Sequence, residues 1–103
     1  MERLGVEEVQ ALKRLRKVIS SLSTEELKAF EYIWENVSVG EIIAERDLLQ
    51  LYGISKPVQV LRKLRDKELV ERGEGCYNLA AWLRRLRKRV QDFRRLALLL
   101  EKV

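Results

Sequence analysis

Hydrophobic residues recur along most of this chain at the three- and four-residue spacing that is typical of amphipathic helices. In the first segment, Ala11, Leu15, Val18 and Leu22 are separated by four, three and four residues. This spacing places their side chains on one face, so it predicts a first helix from about residue 6 to residue 22. Acidic residues near the start of this segment and basic residues near its end complement the helix dipole.

A capping box opens the second predicted helix, which extends to about residue 36. The sequence Ser23-Thr24-Glu25-Glu26 places a hydroxyl at the N-cap and a carboxylate three residues into the helix. These two side chains can each accept a hydrogen bond from a backbone N–H that has no partner within the helix. The helix is predicted to bury one stripe, formed by Leu27, Phe30, Ile33, Trp34 and Val37.

Two short elements are predicted next. The β-branched residues within 41–44 favour a brief strand. Residues 45–52 favour a short helix whose buried side comprises Leu48, Leu49 and Leu51. Gly53 is predicted to end this helix, because glycine adopts a positive φ without steric cost.

A basic helix and a β-hairpin complete the centre of the chain. Ser55 is predicted to cap the helix, which covers about residues 55–67, and Pro57 is tolerated in its first turn. Its buried side is predicted to comprise Val58, Leu61 and Leu64. The hairpin has strands at 69–72 and 76–79, joined by the turn Gly73-Glu74-Gly75.

The last predicted element is one long helix over residues 80–103. Its apolar positions follow a heptad seam from Leu79 to Leu100, and other apolar residues lie on several sides near its end. The seam could pack on the first helix of the same chain, but it is more than one small monomer is expected to cover, so we predict a homodimer that the first helix joins. The predicted interface comprises Leu15, Val18, Leu22, Leu86, Val90, Phe93, Ala97 and Leu100.

Length and composition restrict the class of protein. A chain of 103 residues with 47% hydrophobic and 36% charged residues fits a single globular domain, divided into a first helix (1–22), a core (23–79) and a last helix (80–103). No apolar run approaches the roughly 20 residues of a membrane span, and no signal peptide is evident, so we expect a cytoplasmic protein. With one cysteine, no histidine and no phosphate-binding glycine loop, we predict no enzyme activity, no cofactor and no metal.

The centre of the chain resembles a known family. The phrase LLQLYGISKP, followed by VLRKLRDKELVERGEGCYNL, resembles the second helix, turn, recognition helix and wing of winged helix-turn-helix DNA-binding domains. The resemblance covers residues 24–79 and implies a mainly α-helical fold with a small β-hairpin. The flanking helices are similar in layout to those through which MarR-like regulators and a small archaeal winged-helix chromatin protein dimerise.

The resemblance and the charge distribution together predict contact with double-stranded DNA. Net charge is +2 over residues 1–22, −5 over 23–54 and +8 over 55–103, an asymmetry that favours an oriented approach to a polyanion. The resemblance places helix 55–67 in the major groove, where Gln59 and Arg62 could contact base edges and Lys56 and Lys63 could contact phosphates. The full set of predicted DNA-binding residues is Ser55, Lys56, Gln59, Arg62, Lys63, Arg72, Arg84 and Lys88.

Two functions are therefore predicted. The preferred one is a homodimeric transcriptional regulator or nucleoid-associated protein that binds double-stranded DNA. The alternative is a winged-helix module that binds another protein in a larger assembly without contacting DNA. Asp66, Glu74 and the acidic segment 23–54 favour this alternative, since negative charge repels phosphate.

Overall fold

A computed structural model describes residues 4–103, so the first three residues of the predicted segment 1–22 lie outside the described range. Within that range the chain forms six helices and three strands, a mainly helical fold consistent with the predicted winged helix. In chain order the elements are α1 (Val6–Ile19), α2 (Thr24–Glu35), β1 (Val39–Gly40), α3 (Glu41–Gln50), α4 (Pro57–Asp66), β2 (Val70–Arg72), β3 (Cys76–Leu79), α5 (Ala81–Arg89) and α6 (Phe93–Glu101).

The three strands form one antiparallel sheet in the order β1-β3-β2. The predicted hairpin is confirmed, with Val70 opposite Leu79 across β2 and β3. We call the hairpin and its turn at 73–75 the wing. The strand predicted at 41–44 is wrong, because β1 pairs with β3 over Val39–Gly40 and the chain then enters α3. Ala44 and Leu48, one helical turn apart, are both fully buried, and this one-sided burial outweighs the local β-propensity.

The predicted helix ends are confirmed at two places and wrong at a third. The hydroxyl of Ser23 accepts a hydrogen bond from the backbone N–H of Glu26 at 3.1 Å, while the Glu26 carboxylate accepts from the Ser23 N–H. Gly53 has a φ of +67° just after α3. Ser55 does not cap α4, however: Lys56 occupies the N-cap position without a capping side chain, and Pro57 at the first helical position has no N–H that needs one.

Aromatic residues of α2 lie at the centre of the core. Phe30 and Trp34 are fully buried and pack edge to face, with ring centroids 5.9 Å apart. Phe30 makes a second edge-to-face contact, also at 5.9 Å, with Phe93 of α6. The second helix therefore joins the winged-helix core to the C-terminal helices.

The single long helix predicted over residues 80–103 is wrong, because the chain breaks between α5 and α6. Val90 is extended, with φ −130° and ψ 94°. In a continuous helix the Val90 carbonyl would accept a hydrogen bond from the Arg94 N–H. Here it accepts from the indole Nε1–H of Trp34 at 3.1 Å, and the Arg94 N–H donates to the Asp92 side chain at 2.9 Å. Both members of this lost backbone pair are thus satisfied.

The monomer itself covers most of the predicted heptad seam. Five residues of the predicted dimer interface are buried within the chain, namely Leu15, Leu86, Val90, Phe93 and Leu100. Val18 and Leu22 are partly buried, and Ala97 is exposed. Because α1 packs against both α5 and α6, the seam is largely filled within one chain.

Candidate functional site

The outward face of α4 brings together the central group of predicted DNA-binding residues. Val60, Leu61 and Leu64 point into the core. Four polar side chains lie exposed on or next to the opposite face, and none of them forms a hydrogen bond or close ion pair with another residue of the described range: Lys56, Gln59, Arg62 and Lys63. Ser55 is exposed just before them. This surface, which we call the α4 face, is therefore basic and available.

Two other predicted DNA-binding residues are held by carboxylates. Arg72 of the wing donates from Nε to Glu41 at 3.2 Å, and this hydrogen bond is the main reason why the pKa of Arg72 is raised. Arg84 forms an ion pair with Glu71 at 2.6 Å. A phosphate would have to displace a carboxylate at either position. Lys88 is exposed on α5, which packs against α1.

A second surface lies on α3, where the predicted inward direction of two leucines is wrong. Leu49 is 49% exposed and Leu51, the residue that follows the helix, is 73% exposed. Ile42 and Ile43, in the first turn of the same helix, are 81% and 47% exposed. Only a narrow stripe of α3 reaches the core, and its other apolar residues remain in solvent. We call these four exposed residues the α3 face.

The carboxylates of α3 are all directed to partners within the fold. Glu41 forms the ion pair with Arg72 already described. Glu45 accepts a hydrogen bond from the Tyr77 hydroxyl at 3.0 Å, and Asp47 accepts one from Tyr32 at 2.6 Å. Acidic charge in this segment thus stabilises the attachment of α3 to the wing and to α2.

The two tyrosines show how firmly α3 is attached. Burial and the hydrogen bond to Glu45 raise the pKa of Tyr77 to about 12. Burial and the hydrogen bond to Asp47 raise the pKa of Tyr32 in the same direction. Both phenols therefore stay protonated and keep donating to α3 throughout the neutral range.

The sequence contained a signal for the α3 face in the number of its apolar residues, beyond their periodicity. Between residues 42 and 51 the chain contains six aliphatic residues. A ten-residue helix needs fewer to form the single apolar stripe that packs on a core. Excess apolar surface on a short helix indicates a contact surface as readily as a core. Val58 of α4, predicted to be buried, is similarly 46% exposed.

The two buried carboxylates of the described range have structural roles. Glu26 is buried and forms a salt bridge with Lys67 at 3.0 Å. Glu8 is also buried and accepts from the Gly5 N–H at 3.1 Å. Among residues 4–103 no cluster of three or more histidine, cysteine or acidic side chains could hold a metal ion. No helix in this range is long and apolar enough to cross a membrane.

The central part of the chain matches a known protein family. Residues 23–85 match the model of a protein family described as PolB1 Binding Protein 2. The chain belongs to this family. A search of curated proteins gives no match.

The match to the PolB1 Binding Protein 2 family begins and ends at recognisable points of the fold. It starts at Ser23, the residue that caps α2, and it extends into the first half of α5. Both the α3 face and the α4 face lie inside it, as does the wing. Helices α1 and α6 lie outside the matched range and pack against its helices.

Proposed function

We propose that this chain is a non-enzymatic accessory protein that binds DNA polymerase B1. The observation that carries the proposal is the family match over residues 23–85. It favours the protein-interaction function, which the sequence analysis held as its alternative, over a transcriptional regulator. The α3 face supports a protein partner, since an exposed apolar patch of this kind is typical of interaction surfaces.

A binding measurement with purified proteins tests this function. The chain and DNA polymerase B1 would be treated with nuclease, mixed at micromolar concentration and analysed by gel filtration and isothermal titration calorimetry. Nuclease treatment matters because two DNA-binding proteins can appear to associate through shared DNA. We expect co-elution and a saturable heat of binding. Absence of both at low ionic strength would refute the proposed function.

Contact with duplex DNA is a second candidate function, supported by the α4 face. Its cations are exposed, and none of them forms a hydrogen bond or a close ion pair within residues 4–103, which leaves them able to contact phosphates. We expect affinity to fall steeply with salt, because each phosphate contact releases counterions. An accessory protein that also touched DNA would help hold the polymerase on its template. The two functions are compatible because the two faces lie on different helices.

Substitutions on the α4 face test the DNA contact. We expect Arg62→Ala to weaken binding and to relax any sequence preference, whereas Lys63→Ala should weaken binding to all sequences about equally. Lys13→Ala is the charge-matched control, since Lys13 is exposed on α1 in a groove beside Val103. Fluorescence anisotropy over a salt series would measure these effects. Equal affinities for all three variants would show that the α4 face does not contact DNA.

A further inference from the structure

We propose that the α3 face is the surface on which the polymerase docks. This inference rests on the proposed function and specifies where the contact lies. The α3 face is formed by Ile42, Ile43, Leu49 and Leu51. Its occupant, by this proposal, is an apolar patch of the polymerase that also presents a carboxylate.

Ile42, Ile43 and Leu49 lie on one side of α3, and Leu51 follows its C-terminal end. Ile42 and Leu49 are seven residues apart, so they lie on the same side of the helix and about 10 Å apart along it. Ile43 lies beside Ile42, where both line a shallow groove against Gly75 of the wing. Over residues 4–103, the α3 face holds four of the nine large hydrophobic residues that remain exposed, so apolar exposure is concentrated there.

Docking on this surface would leave little charge without a partner. The three carboxylates of α3 already bind Arg72, Tyr77 and Tyr32, so a partner that covers the helix does not have to desolvate them. The core of a protein interface is typically depleted of charge, and Arg46 is the charged side chain of α3 that the polymerase would have to pair.

Arg46 lies among the apolar residues of the α3 face and suggests the chemistry of the partner. The side chain of Arg46 is 57% exposed and lies 3.6 Å from Asp47, a loose contact that leaves donors of the guanidinium free. By its helical position, Arg46 lies beside Ile42 and Leu49. A carboxylate on the partner could bind these donors, which is why we assign one to the polymerase patch.

The size of the surface favours a larger partner over a second copy of this chain. A ten-residue helix is about 15 Å long and about 10 Å wide, so its outer face has a footprint of roughly 150 Å². A stable dimer buries about 800 Å² on each partner. Two convex helices of this length would therefore bury too little, whereas a large polymerase could use the α3 face as the centre of a wider contact.

The elements against which α3 packs belong to the part of the chain that matches the family. The helix packs against α2, α4, β1 and β3, which all lie within residues 23–85. A surface held by these elements is part of the domain that defines the family. Exposed apolar residues on α1 and α6, such as Val6 and Leu98, lie outside that match.

A pair of matched substitutions tests the docking site. Ile42→Glu places a carboxylate on the α3 face, and Val6→Glu makes the same kind of change on α1. The two residues are 81% and 79% exposed, both are β-branched, and both lie in the first turn of a helix, where an acidic side chain is favourable. Both variants should therefore fold normally, which circular dichroism and thermal melting would verify.

The second pair repeats the comparison at the other end of the surface. Leu51→Glu changes the α3 face, and Leu98→Glu changes the exposed side of α6, where 59% of the residue is exposed. Calorimetry with purified polymerase should show that Ile42→Glu and Leu51→Glu each raise the Kd about tenfold or more. The controls should keep the Kd within about twofold of the parent chain.

The outcomes separate this inference from the proposed function. If the parent chain does not bind the polymerase, the proposed function fails and the docking site fails with it. If the parent chain binds and Ile42→Glu and Leu51→Glu bind equally well, the function stands and the docking site is overturned. If sedimentation instead shows a homodimer that Ile42→Glu dissociates, while polymerase affinity is unchanged, a second copy occupies the α3 face and the inference is overturned.

Discussion

Replacing Trp34 by phenylalanine tests the physical account of the break between α5 and α6. The indole Nε1–H donates to the carbonyl of Val90 at 3.1 Å, and both residues are fully buried. Phenylalanine keeps an aromatic ring at this position but removes the donor. The Val90 carbonyl is then left without a partner in a place that water does not reach.

The expected loss of stability in Trp34→Phe has two contributions. A buried carbonyl that loses its hydrogen-bond donor costs about 1–3 kcal/mol. The smaller ring also buries roughly 40–50 Å² less apolar surface, which is worth about 1 kcal/mol. Trp34→Phe should therefore lower the free energy of unfolding by about 2–4 kcal/mol, a large share of the 5–15 kcal/mol that is typical of a domain.

Trp82 provides the control, because it forms the same type of hydrogen bond near the surface. Its Nε1–H donates to the carbonyl of Glu68 at 2.7 Å, and its ring lies 4.1 Å from the guanidinium of Arg14. Water can replace this donor, so Trp82→Phe should cost only about 1 kcal/mol. Urea denaturation followed by circular dichroism would measure both variants. Equal losses of unfolding free energy in the two variants, within about 0.5 kcal/mol, would refute the view that the buried hydrogen bond stabilises the break between α5 and α6.

Two further predictions concern pH and backbone conformation. Burial opposes ionisation of Glu26, but the hydrogen bonds from Lys67 and Ser23 outweigh it and hold its pKa below the usual 4.5. The stability that ionised Glu26 contributes should be fully present above pH 4.5 and lost as the pH falls through the lowered pKa. In urea denaturation, Glu26→Gln should therefore cost roughly 1 kcal/mol near neutral pH and less in acid. A cost that does not change with pH would contradict this. Gly53→Ala should cost about 1–2 kcal/mol because φ is +67°, whereas Gly40→Ala, with φ −57° and only ordinary van der Waals contact with Ile43, should be nearly neutral; equal thermal shifts would contradict this.

Most elements could be predicted from the sequence because their signals are local. The capping box at Ser23, the positive φ of Gly53 and the glycine turn of the wing each depend on a few neighbouring residues. The α4 face was also predictable, since the buried positions Leu61 and Leu64 determine which side of the helix faces outward. The error at residues 41–44 arose because burial of Ala44 and Leu48 outweighed a weak local preference, whereas the error at Ser55 was local, since Lys56 before Pro57 occupies the N-cap position.

The sequence did not predict what depends on contacts between distant segments. Arg72 and Arg84 are basic residues in a basic segment, yet Glu41 and Glu71 neutralise them in the folded chain. Leucines 49 and 51 have the spacing of core residues, but only the packed fold shows that Leu48 alone reaches the core. Pattern analysis identifies apolar residues, whereas the partners that cover them are supplied by the rest of the fold.

The sequence by itself determined the helix periodicity, the capping box of α2, the hairpin and the outward face of α4, because these follow from dihedral preferences and from residue spacing within one segment. Only the tertiary structure decided that α1 fills most of the heptad seam within one chain. It also decided that the hydrogen bond from Trp34 stabilises the break at Val90 between α5 and α6, and that α3 exposes apolar residues to solvent. The physical reason is that burial and hydrogen-bond satisfaction are properties of the whole packed chain, and they outweigh local propensity wherever the two disagree.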